Sequence, residues 1–178
     1  MYLLQQRAPA IPGRQQAFAQ EVSKWLASAN VKQVLLLCGL DAQYRREQQL
    51  EGSQLRYYSS STSTDATAGQ QDGGLASGCK AAGLQQLEAD VLENEKELHG
   101  LLPPWPVLQQ LQDSGVSSTL VSVFAAEGDN AADAMGLAGA VLTVLGKQGM
   151  VMNAQQQLQV PCSWAGLMGR ASVDTTLF

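Results

Sequence analysis

The sequence predicts an α/β fold: a mainly parallel sheet flanked by helices, in one domain over 1–178 that is incomplete at its N-terminus. Three observations carry this. A helix-patterned segment, Arg14 to Ala29, runs straight into an apolar run of strand length, Val31 to Leu37. A second such run, Leu120 to Phe124, passes through an acidic, glycine-containing turn into a long helical pattern. The 178 residues, 45% hydrophobic, are enough to fill one core.

Tyr2, Leu3 and Leu4 are expected to be extended almost from the first residue, before Pro9, Pro12 and Gly13 break the segment. A strand so close to Met1 implies that sheet material precedes it. Between Arg14 and Ala29, Phe18, Val22, Trp25, Leu26 and Ala29 fall on one helical face, with polar residues elsewhere. Val31 to Leu37, closing at Cys38-Gly39, reads as a strand buried on both faces. Strand, helix and strand in this order make a right-handed parallel crossover.

Asp41 to Gln54 is polar and loop-like, and Leu55 to Tyr58 reads as a short strand. The run 59–83 is rich in Ser, Thr, Gly and Gln with almost no bulky apolar residues, so it cannot offset its own ordering entropy. It is expected to be a flexible insertion. An acidic, weakly amphipathic helix is expected around Leu84 to Leu98. The Pro103-Pro104-Trp105-Pro106 stretch then makes a rigid turn into a short helix that starts at or just after Pro106.

The strand Leu120 to Phe124 follows, and with it the most informative junction, Phe124 to Ala134. Asn130 is placed to cap the next helix, with Asp133 at its third position as a short variant of the capping box. Acidic side chains suit the positive end of the helix dipole, and Gly128 supplies a permissive backbone where the chain reverses. On this reading Glu127, Gly128, Asp129, Asn130 and Asp133 shape the fold. The helix itself is marked by Ala134, Ala138, Val141, Leu142 and Leu145; Gly136 and Gly139 inside it each lower its propensity by roughly 1 kcal/mol. Beyond it, Val160 to Trp164 approaches a helical turn with Ser163 as cap and Trp164, Leu167 and Met168 as an apolar cluster. The tail 171–178 has no periodicity and ends on Leu177-Phe178, an apolar pair suited to docking.

A net charge of −5 with few basic clusters argues against a nucleic-acid groove or an anionic membrane surface as the main partner. Arg45, Arg46 and Arg56 form the nearest approach to a basic patch and read as a solvated or partner-facing edge. The longest apolar stretch, Met135 to Leu145, falls well short of the ~20 residues of a spanning helix. With no secretory pattern at the start, the expected location is the cytosol, with the nucleus as a second compartment. Three widely spaced cysteines, Cys38, Cys79 and Cys162, read as reduced thiols.

Paired metal-ligand motifs, a phosphate loop and a dinucleotide fingerprint are all lacking, so neither a metal nor a cofactor is expected. The one histidine, His99, stands far in sequence from any nucleophile setting. Cys38, at the end of a buried strand, is the best nucleophile candidate; its simpler reading is a small hydrophobe. Trp25, Trp105 and Trp164 read as core anchors or contact residues.

Three blocks give the chain a resemblance. They are Phe18 to Cys38 running on through Tyr44, Arg45, Leu55, Arg56 and Tyr57; the Phe124 to Ala134 junction with its E-G-D-N-x-x-D-A signature; and Val160-Pro161-Cys162-Ser163-Trp164 through Leu177-Phe178. Together they resemble the proteasome assembly chaperone 2 family. The resemblance implies a non-catalytic α/β chaperone, one half of a heterodimer with proteasome assembly chaperone 1 that binds the α-subunit ring. It also implies that the C-terminal tail enters pockets between α subunits through a hydrophobic-Tyr-X pattern, whose place is taken here by Thr176, Leu177 and Phe178. Family members carry more sequence ahead of Tyr2 to Arg7, so the chain is expected to be truncated or wrongly started. The alternative from the residues alone is a small hydrolase- or phosphorylase-like enzyme, with Glu127 or Asp129 as acid/base and Cys38 as nucleophile. A further alternative is a fragment that does not fold by itself.

Overall fold

The computed structural model describes residues 1–59, 74–88, 102–147 and 158–164. Among the described residues, four helices accompany a four-stranded, mostly parallel sheet, the expected α/β class. In chain order the elements are α1 (Gln15–Ser28), β1 (Gln33–Asp41), β2 (Leu55–Ser59), α2 (Leu75–Ala81), β3 (Gln85–Gln86), α3 (Trp105–Asp113), β4 (Ser117–Ala125) and α4 (Ala131–Lys147). The sheet order is β1-β4-β2-β3, and β2 runs parallel to β3 with Arg56 opposite Gln85. The chain divides into two units, described in turn.

The first unit holds residues 1–38, 58–59, 88 and 102–120. Its core forms where α1 meets α3: Ala19 and Leu26 from α1 close on Val107 and Leu111 from α3, with Phe18, Val22, Val34, Leu36 and Val116 around them. Side chains three and four positions apart share a helix face, which is how Ala19, Val22 and Leu26 reach one partner. Trp25, expected on that face, lies beside it and is 45% exposed. Ser23 stays buried in the contact; the Ser114 hydroxyl donates to the Gln110 carbonyl at 2.7 Å, and the two hydroxyls meet at 3.1 Å. Both helices end in the same way. Asn30 (φ 53°) and Gly115 (φ 69°) take the left-handed turn, while Val31 and Val116 donate back to the Leu26 and Leu111 carbonyls.

Proline stands within the first two residues of α3, which begins at Trp105, one residue ahead of the expected start. Trp105 is buried and its ring lies 6.5 Å from that of Tyr58, whose hydroxyl accepts from the Gln112 amide at 3.0 Å. Tyr2, Leu3 and Leu4 form no strand: with no strand beside them among the described residues, they stand exposed.

The second unit holds residues 39–57, 74–87, 121–147 and 158–164. Here α2 packs against α4, and Tyr57, Leu75, Cys79, Leu87, Val121, Val123, Phe124, Val141, Val144 and Leu145 are buried. Two expectations are corrected here. The flexible run expected over 59–83 holds the last residue of β2 at one end and a helix at the other. The helix expected from Leu84 is replaced by the short β3; what lies beyond residue 88 up to 98 is outside the described residues. A spacing of four brings Leu75 and Cys79 to one face of α2 and buries both, which anchors a segment whose composition alone promises no order.

Two other expectations change. β1 is longer than expected, and it is half-buried rather than enclosed on both faces, because it ends the sheet order. The strand that is enclosed is β4, buried from Ser118 through Phe124 between β1 and β2. The loop Asp41 to Gln54 contains two tight turns, Ala42–Tyr44 and Glu47–Gln49, the first held by Gln43 N–H donating to Asp41 at 2.9 Å.

Candidate functional site

The acidic junction sits where β4 leaves the core. Phe124 is buried, Ala125 half-buried, and Ala126 through Asn130 all face solvent. Gly128 has φ +122°, a conformation that L side chains rarely adopt, and open space surrounds the position a Cβ would take. Ala134 N–H donates to the Asn130 carbonyl at 3.0 Å, which makes Asn130 the first acceptor of α4. The side-chain acceptor is one residue earlier than expected: Asp129 Oδ1 receives Ala131 N–H at 3.3 Å. A carboxylate two residues ahead of the helix and Asp133 in its first turn both meet the positive end of the dipole. Chemically, the arrangement fixes the start of a helix. We expect Gly128→Ala to cost about 1–3 kcal/mol through backbone strain alone, measured by urea denaturation. A change under about 0.3 kcal/mol would show that the turn relaxes freely.

The nucleophile candidate fares differently. Burial pushes the Cys38 thiol up to about 12, so at neutral pH it is protonated and a poor nucleophile. Cys79, in α2, is likewise raised to about 11, and Tyr57 is raised by burial first and by Cys79 second. In the folded chain both thiols keep their protons above pH 9, where an unfolded chain gives them up. Their stabilising contribution is therefore complete below about pH 9 and is lost as pH rises through about 11 for Cys79 and 12 for Cys38. Urea midpoints should fall from pH 9 to 11, and fall less steeply in Cys38→Ala/Cys79→Ala. At pH 8, alkylation should reach exposed Cys162 first.

The basic trio does not form an edge. Arg45 and Arg46 are half-buried, with Arg45 Nε donating to the Ala42 carbonyl at 3.2 Å, whereas Arg56 is 1% exposed. Its guanidinium turns back along β2 to the Leu55 carbonyl, 3.1 Å away, and to the Ser53 carbonyl. The Ser122 hydroxyl from β4 reaches the Arg56 carbonyl at 3.4 Å. This buried arginine is the residue that the sequence reading missed; its position between Leu55 and Tyr57 in a short strand was the available signal.

Ser163 lies inside a short turn, Cys162–Trp164, rather than capping one, and Trp164 is 40% exposed with its N–H donating to the Pro161 carbonyl at 2.9 Å. Leu167, Met168, His99 and the terminal Thr176, Leu177 and Phe178 lie outside the described residues. Among the described residues no group of three or more His, Cys, Asp or Glu is placed to hold a metal ion, and no helix is long and apolar enough to cross a membrane. A shallow cleft of about 370 Å³ lies between α1 and α3, lined by Gln20, Ser23, Lys24, Ala27, Gln110 and Ser114.

These features place the chain among known proteins. Residues 1–161 match the model of the PAC2 family, a span that includes α1, the sheet, the acidic junction and α4. The chain belongs to the PAC2 family. A curated relative, proteasome assembly chaperone 2 of Nematostella vectensis, is 33% identical over 146 residues, which cover 77% of this chain and 56% of the relative. The chain thus spans a little over half the length of that relative. The family match ends before Ser163, so the third block of the resemblance contributes only its first two residues, Val160 and Pro161. Asp129, Asn130 and Asp133 lie well inside the match.

Proposed function

We propose that this chain is a non-catalytic chaperone for assembly of the proteasome core particle. The observation that carries the reading is the family match over residues 1–161 together with the relative's name. Two features of the candidate site support a binding role over chemistry: the acidic turn is exposed and spent on starting α4, and the Cys38 thiol is held protonated. In this reading the chain works as a heterodimer with proteasome assembly chaperone 1, on the proteasome α-subunit ring, in the cytosol and the nucleus. Thr176, Leu177 and Phe178 supply the tail contact.

The test is recovery of partners from cells with a tagged chain. The expected result is co-purification of α subunits and of the related chaperone; recovery of neither would sink the reading. Removing Thr176 to Phe178 separates the two modes of contact. Lost α subunits with the chaperone retained would assign the tail to the ring, and unchanged recovery would reject that assignment.

A further inference from the structure

We draw no further inference here: the strongest candidate, the exposed apolar patch that Tyr2, Leu3 and Leu4 form ahead of α1, carries nothing because nothing in the structure shows what covers it.

Discussion

Leu111→Ala should remove about 2–5 kcal/mol of stability. Leu111 is 0% exposed and stands in α3 against Ala19 and Leu26 of α1, so deleting its outer methyls leaves a void that rigid helices close only in part. The fit is also tight in the other direction. Ala19 is 0% exposed, so a larger side chain there would push the helices apart. The comparison is Leu50→Ala, whose side chain is 59% exposed and whose loss should cost under about 0.5 kcal/mol. Urea denaturation of both variants checks the contrast, and a loss below about 1 kcal/mol at Leu111 would mean that α1 and α3 do not form this core.

Arg56→Ala should cost about 2–4 kcal/mol. The side chain is almost wholly buried in β2, its aliphatic stem fills space, and its guanidinium serves the Leu55 and Ser53 carbonyls. Arg56→Met keeps the stem volume without the charge. It should lose less than half as much, because a buried charge repays its desolvation only in part. Equal losses in the two variants would assign the whole effect to the guanidinium hydrogen bonds; a loss within about 0.5 kcal/mol for alanine would show that Arg56 is not the anchor of this strand.

Elements with a strong period were legible in the sequence. The face of α1 made by Phe18, Val22 and Leu26, the apolar runs of β1 and β4, and the Val141, Leu145 pattern of α4 all record burial directly in residue type. What escaped was decided by tertiary contact. In α2 only Leu75 and Cys79 mark a buried face amid Ala, Ser and Gly, and β3 is two glutamines whose place depends on β2. Arg56 is buried against its residue type, and Tyr2 to Leu4 are exposed against theirs. At the acidic junction the local chemistry was readable because capping is local. Asp129 and Asn130 are both good acceptors, and only backbone geometry chose Asp129 for the side-chain bond.

The order β1-β4-β2-β3 also dictates a timetable during synthesis. β4 is the last of the described strands to be made and lies between β1 and β2, so until Ala125 has cleared the ribosome β1 lacks its neighbour in the sheet and β2 has only the two-residue β3. Until then a nine-residue apolar strand waits in solution, where nascent-chain chaperones would find it first. A ribosome stalled just after Ala125 has emerged should be the earliest at which the growing chain resists protease.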